Sequence, residues 1–285
     1  MNRAYAELLR PANVVTALAD VLAGYALASM ANRSALPWLL AATACLYAGG
    51  VVLNDFFDRH LDRVERPERP IPSGRVAARH AAILGGVLLA TGTVFAFSAT
   101  QAAGLMAATI AAFVVLYDAW GKQHAVGPAL MGLCRAFNLL LGVAAVPELL
   151  NARALVAGIP FAYVVAITAL SRGEVHGGVR RVATFALISL GIALSGLALV
   201  AVQSSEPVWS GVVLVFLMLR VLPPFVNARR TPDARRIRYA VRTGVLSLVL
   251  VNAVIGTAYA GPIYGALILT IALVAGWLAR MFAVT

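Results

Sequence analysis

Apolar residues along this chain come in blocks rather than in alternation. Ten stretches, at 12–31, 36–55, 78–98, 102–117, 126–146, 154–170, 182–202, 208–226, 239–260 and 263–281, carry few charges. Most are close to the roughly 20 residues that a helix needs to cross a bilayer. Only a helix or a closed barrel satisfies its own backbone in hydrocarbon, and blocks without a period of two argue for helices. The pattern therefore predicts an all-α polytopic membrane protein, with residues 1–285 forming one transmembrane domain. Polar intervals separate the blocks. Two are chemically loaded, 54–76 after the second block and 171–181 after the sixth, and a third, 227–238, is basic.

Composition strengthens this reading. Of 285 residues 61% are hydrophobic and 12% charged, with a mean hydropathy of +0.86. Soluble chains carry about 25% charged residues, which excludes a soluble enzyme built on buried helices. A net charge of +11 would suit nucleic acid. The arginines, however, sit in alternate polar intervals, as the positive-inside rule distributes them, so no nucleic acid is expected. With the N-terminus in the cytoplasm, that face holds Arg3, Arg10, the arginines of 54–76, Arg79, Lys122, Arg172, Arg180, Arg181, Arg229, Arg230, Arg235, Arg236 and Arg238. The other face keeps little beyond Arg33 and Arg153. The expected location is a prokaryotic inner membrane with the loaded intervals on the cytoplasmic side. Cys45 and Cys134 lie inside blocks at no metal or redox spacing and read as packing residues. No cleavable signal pattern is expected at the start of the chain.

The first loaded interval reads NDFFDRHLDRVERPERPIPSGRV. Asp55, Asp58 and Asp62 stand at i, i+3 and i+7, which places three carboxylates on one face of a helix. Like charges so placed call for a cation. A hard ion such as Mg²⁺ takes carboxylate oxygens and completes its shell with waters and substrate phosphates. Arg59, Arg63, Arg66, Arg69 and Arg75 follow at once, and guanidinium groups suit phosphate. Together they describe a diphosphate site. A solvated loop between two helices is the plainer alternative. Against it, the aspartates keep helical spacing until RPIPSG breaks the helix.

Asn54, Asp55, Asp58 and Asp62 spell NDxxDxxxD, and residues 69–75 spell RPIPSGR. Together they resemble the first motif of the UbiA superfamily of intramembrane prenyltransferases. The resemblance implies a bundle of nine transmembrane helices around a central cavity, which leaves 263–281 as a candidate tenth, C-terminal helix. It implies Mg²⁺ as cofactor, an isoprenyl diphosphate and a small-molecule acceptor as substrates, and contact with the lipid bilayer. Asp55, Asp58 and Asp62 would hold metal, and Asn54, Arg66 and Arg69 would face the diphosphate.

In the second interval, LSRGEVHGGVRR, Glu174 is the one acid where the superfamily carries several aspartates. The phrase SRGEVHGG resembles its EboC-like branch. Glu174 would be the fourth metal carboxylate and Arg172 a phosphate ligand. His176 would be a base toward the acceptor, or else a loop histidine facing water. YDAWGK at 117–122 resembles a YxxxxK element, in which Lys122 binds diphosphate and Tyr117 lines the cavity. Interfacial anchoring would account for both equally. Arg10-Pro11 and Asn13 resemble an RPxN start, with Asn13 reaching into the cavity or bonding at the helix end. Asp118 has no place in these patterns.

Charges inside apolar blocks are costly and usually face a cavity or a partner. Asp20 and Arg135 lie at similar depths, roughly 13 Å at 1.5 Å per residue, and are expected to pair, with Asn138 beside Arg135. Arg135 and Asn138 are thus candidate substrate-side residues, whereas Arg220 is expected to snorkel. Three functions fit. The first is a Mg²⁺-dependent prenyltransferase acting on an aromatic, quinone-type or small polar, cyclitol-like acceptor. The second is a terpene cyclase of the same fold. The third is a non-catalytic carrier.

Overall fold

The computed structural model describes residues 3–282. No strand occurs among them. A short α1 (Arg3–Leu9) precedes α2 (Pro11–Leu27), α3 (Leu36–Glu65), α4 (Ala78–Ala99), α5 (Gln101–Ala119) and α6 (Gly127–Val143). A 3₁₀ turn, a four-residue α7 (Leu150–Arg153) and a second 3₁₀ turn lead into α8 (Gly158–Ser171). Then come α9 (Arg180–Val202), α10 (Pro207–Arg230), α11 (Ala234–Leu246), α12 (Leu248–Ala260) and α13 (Pro262–Phe282). Proline stands in the first turn of α2, α3, α6 and α10, where its missing N–H leaves no bond unmade.

Each of the ten apolar blocks forms a helical rod, taking Pro147–Ser171 and Ala234–Ala260 as single rods. Seven are long and apolar enough to cross a membrane. α6 and the Pro262–Leu278 part of α13 are shorter apolar helices, and α2 has 17 residues. The chain runs back and forth, so successive connections gather at opposite ends. At one end the polar intervals are tied together. Lys122, after α5, meets Asp58 of α3 at 2.5 Å. Arg172, after α8, donates to the His124 carbonyl. Gly178 N–H donates to the Pro232 carbonyl, before α11, at 2.9 Å. At the opposite end, Asn32 donates to the Ala145 carbonyl at 3.2 Å and Thr100 to the Ala144 carbonyl at 2.8 Å.

Two apolar cores fill the bundle. One joins α2 through α6, and the other joins α6 through α12. α2 and α6 stand between them, crossing where Gly24 faces Gly142. A Cβ on Gly24 would lie 1.9 Å from the Leu139 carbonyl oxygen and 2.9 Å from the Gly142 Cα. Small residues permit such backbone approach in membrane bundles.

Two boundaries differ from the block pattern. The second apolar block ends near residue 55, and α3 continues past it to Glu65, in line with the helical spacing of the aspartates up to RPIPSG. Its extension has a surface to bury against: Ala4 and Leu8 of α1, with Ile71 and Val76 of the RPIPSG segment, form a small core with Val52 and the Phe56 ring. The ninth block is two helices that meet at Ser247. There Arg220, an exposed residue, donates from Nε to Ser247 Oγ at 3.0 Å, which ties it to this junction. Tyr163 Oη donates to the Gly244 carbonyl at 3.0 Å, and side chains entering a helical ladder in this way break it.

Candidate active site

α2, α3, α5 and α6 enclose a cavity of about 250 Å³. Its outer part is lined by Arg10, Asn13, Asn54, Tyr117 and Asp118, and Leu46, Val51, Ile110, Val114 and Met131 form an apolar wall. Deeper in are Thr43, Arg135 and Asn138. Asn54 and Thr43 lie about 16 Å apart along α3 at 1.5 Å per residue. Tyr47 and Asn54, spaced i and i+7 on α3, share its cavity face.

The three aspartates stand on one face of α3, each against a cation. Asp55 Oδ1 accepts from Arg10 Nη2 at 2.5 Å and from Arg69 Nη1 at 3.3 Å. Arg69 Nη1 also donates to Asp62 Oδ2 at 2.7 Å, so one guanidinium spans two turns of the helix. Asp58 pairs with Lys122. Asp55 and Asp62 are buried, whereas Asp58 is half-buried. Beside them, Asn54 Nδ2 donates to Asp118 Oδ1 at 2.9 Å, carrying the polar strip across to α5. Among the described residues no three His, Cys, Asp or Glu side chains converge on one point. The donor chemistry nevertheless fits a hard dication, since the face offers carboxylate oxygens and no sulfur or imidazole. The cations that neutralise it are groups that also bind phosphate.

A second polar network lies deeper. Arg135 Nη1 donates to Asp20 Oδ2 at 2.6 Å, and Asn138 Nδ2 donates to the same oxygen at 2.9 Å. Asn252 of α12 donates to the other Asp20 oxygen at 2.6 Å. Thr43 Oγ1 donates to Asn138 Oδ1 at 2.6 Å, and the Arg135 guanidinium lies 5.1 Å from the Tyr47 ring centre. The expected pairing of Asp20 and Arg135 is thus present, and it ties α2, α3, α6 and α12 together.

The sequence pattern of the UbiA prenyltransferase family matches residues 17–238. The chain belongs to this family. A digeranylgeranylglyceryl phosphate synthase from Ignicoccus hospitalis is 35% identical over 215 residues, covering 69% of this chain and 71% of that protein. One of the same name from Methanothermobacter thermautotrophicus is 32% identical over 48% of this chain and 49% of its own. Among solved structures, a UbiA homologue from Aeropyrum pernix K1 superposes with a TM-score of 0.71 at 15% identity, over 85% of this chain and 96% of that one. A homologue from Archaeoglobus fulgidus, bound to DMAPP and Mg²⁺, gives 0.67 at 15% identity, over 93% and 99%. The polytopic UbiA bundle is confirmed, with prenyltransferase as the family's activity. These relatives are not specifically of the EboC-like branch, and their names carry a glyceryl phosphate rather than a quinone.

Against the UbiA motif residues, the geometry separates the candidates. Asn13, Asn54, Tyr117, Arg135 and Asn138 line the cavity, while Asp55, Asp58, Asp62, Arg69 and Lys122 form an ion-paired array outside its lining, joined to it through Arg10, which lines the cavity and bonds Asp55. Of the second interval, only Arg172 comes within electrostatic reach of a cavity residue, Tyr117. Arg172 is exposed and holds the His124 carbonyl, because its helix ends beside the α5–α6 connection. Glu174 lines a different, basic cavity with Arg238 and Arg242, so the expected set of four carboxylates does not converge. Burial pushes the Glu174 carboxyl above its ordinary range, while Arg66 and Arg238 pull it back. His176 is exposed and lines neither cavity. Arg66 is exposed and acts on Glu174. Arg10, Thr43, Tyr47 and Asp118 were not among the site candidates. The available signals were a charge at the end of an apolar block for Asp118 and the heptad spacing to Asn54 for Tyr47.

Proposed function

We propose that this UbiA-family chain, with Mg²⁺, ionises an allylic isoprenyl diphosphate and transfers the prenyl group to a small polar acceptor of the glyceryl phosphate kind. The observation that carries the reading is a cavity with an apolar wall, joined through its lining residue Arg10 to an array of paired carboxylates and cations beside it. Names of relatives that contain digeranylgeranylglyceryl phosphate support the acceptor class over a quinone ring. The SRGEVHGG phrase keeps the EboC-like branch as a finer placement within the family.

Asp55, Asp58 and Asp62 would hold the ion, which when bound would supply positive charge against the leaving diphosphate. Arg10, Arg69 and Lys122, released from the carboxylates, take phosphate oxygens. The C–O bond to the diphosphate breaks with its electron pair going to the leaving group. An acceptor oxygen then bonds to the allylic carbon, and its proton passes to the released diphosphate. Leu46, Val51, Ile110, Val114 and Met131 receive the tail and exclude water that would quench the cation. Arg135, Asn138 and Thr43 give the inner cavity hydrogen-bonding groups suited to a polar acceptor. In this reading Glu174, His176 and Arg172 stand outside the reacting atoms. The arginine distribution supports a cytoplasmic side for the aspartate end, and a prokaryotic inner membrane is the location proposed with it.

The test is an assay of purified protein with radiolabelled geranyl, farnesyl and geranylgeranyl diphosphates, with and without Mg²⁺, across glyceryl phosphate, cyclitol and quinone-ring acceptors. Prenylated polar acceptor, formed only with Mg²⁺, is the expected product. A hydrocarbon formed without any acceptor would make the chain a cyclase. Failure to release diphosphate from every donor would leave the carrier reading standing.

A further inference from the structure

A second cavity, open and of about 930 Å³, lies between the α8–α9 connection and α11. α11 has no acidic residue in its first turn and buries Ile237, Ala240, Val241 and Gly244 on one side. The cavity side carries Arg235, Arg238, Tyr239 and Arg242, at i, i+3, i+4 and i+7, which is one helical stripe. Arg236 is engaged with Asp233 at 3.5 Å, and Arg238 donates to the Glu174 carbonyl at 2.7 Å. Arg235 and Arg242 make no ion pair or hydrogen bond among the described residues, though both are exposed on the cavity.

The opposite wall is built to approach this helix. Gly173 and Gly178 lie directly on Ile237 of α11. A Cβ on either would come within 2.7 or 3.0 Å of its Cδ1. Gly177 takes a positive φ of 82°, and Gly178 N–H donates to the Pro232 carbonyl. The glycines of SRGEVHGG thus seat the connection on α11, a role separate from the aspartate array. The positive-inside rule would be met by these arginines in any arrangement on that side. It does not require two unpaired guanidinium groups and a Tyr hydroxyl to share one walled cavity.

We propose that this cavity is a phosphate-binding site, distinct from the diphosphate site, in which Arg235 and Arg242 take the oxygens of a phosphate ester, with Arg238 and Tyr239 beside them. Guanidinium forks suit phosphate bidentately. The ester is carried either by an anionic lipid head group or by a free phosphorylated molecule, and the chemistry recognised is the same.

The experiment is a binding titration on the full chain in neutral detergent, read by native mass spectrometry and intrinsic fluorescence, with no turnover involved. Failure of the transfer reaction therefore leaves its outcome unaffected. The probes are phosphatidylglycerol in mixed micelles, phosphatidylcholine as zwitterionic control, and glycerol 3-phosphate. Arg235→Gln/Arg242→Gln is expected to weaken binding of phosphatidylglycerol or glycerol 3-phosphate by about tenfold or more. Arg79→Gln/Arg230→Gln, with the same change in net charge, is expected to bind as the unaltered chain does. Arg235→Lys/Arg242→Lys is expected to fall between, since charge survives but the fork does not. Loss confined to phosphatidylglycerol identifies a lipid head group, and loss confined to glycerol 3-phosphate a free phosphate. Should the double glutamine variant not fold, Arg242→Gln alone reads the same loss at smaller size. Unchanged affinity for both probes in the variant that folds, or an equal loss in the Arg79/Arg230 control, overturns the proposal.

Discussion

Asp58 is the aspartate of the array with the least buried carboxylate, and its partner is an ammonium on a flexible stem rather than an arginine. Within the proposed reaction it is therefore the carboxylate freest to exchange Lys122 for metal. Asp58→Ala should lower kcat/KM for prenyl transfer by at least about 100-fold, several kcal/mol of lost metal-borne stabilisation. Glu174→Ala, across the bundle end in the basic cavity, should cost less than about tenfold on the same scale. Equal losses in a single-turnover assay would return Glu174 to the metal set. The deeper pair answers to stability. Asp20 and Arg135 are both buried, so Asp20→Leu leaves a guanidinium without its counter-charge and should cost about 3–5 kcal/mol. Adding Arg135→Met should recover part of that loss, since the Asn138 and Asn252 amides that donate to Asp20 still lack their acceptor. Melting in detergent reads the cycle, and additive losses would show that the two residues do not act as a pair.

α3 carries the site because it does not stop at the membrane edge. NDFFDRHLDRVE continues as helix since α1 and the RPIPSG segment give Phe56 something to pack on, and the aspartates gain their common face as a result. The α2–α6 crossing is the other decisive element. It brings Asp20 to Arg135 and sets the width of the cavity between α2, α3, α5 and α6. Gly24→Val should prevent assembly, because its two further carbons crowd a crossing in which the first already requires the Leu139 carbonyl to shift. Gly24→Ala should cost about 2 kcal/mol, read as a lower Tm or a loss of the monodisperse peak on size exclusion. A Gly24→Ala protein that melts as the parent does would mean that the crossing relaxes freely.

Over the whole molecule, the polar connections after α3, α5, α8 and α10 meet at one end, joined through Lys122–Asp58, Arg172–His124 and Gly178–Pro232. A membrane-impermeant maleimide should label Arg79→Cys and Arg33→Cys from opposite faces, with Arg79→Cys reached from the cytoplasm. Cys45 and Cys134 are half-buried in helices and should contribute little background. Labelling of both from one face would refute the back-and-forth path.

The apolar blocks, the one-sided arginines and the spacing of Asp55, Asp58 and Asp62 were determined by the sequence alone. Each is a local property: hydrocarbon length, loop charge and helical period follow from residues near one another in the chain. Its NDxxDxxxD and RPIPSGR motifs were enough to point to UbiA. The pairing of Asp20 with Arg135 was legible too, because two costly charges at matching depth have few other partners. Asn252 as their fourth member, Arg10 against Asp55, and the placing of Asp118 beside Asn54 were decided only by the tertiary structure. So was the placing of Glu174 and His176 outside the cavity that Tyr117 and Asn54 line. These depend on which helices neighbour one another and on how far each runs past its apolar block. A connection such as 171–181 holds the right residue types for the diphosphate site, yet its glycines seat it on α11, and packing at Ile237 rather than motif spacing fixes where Glu174 lies.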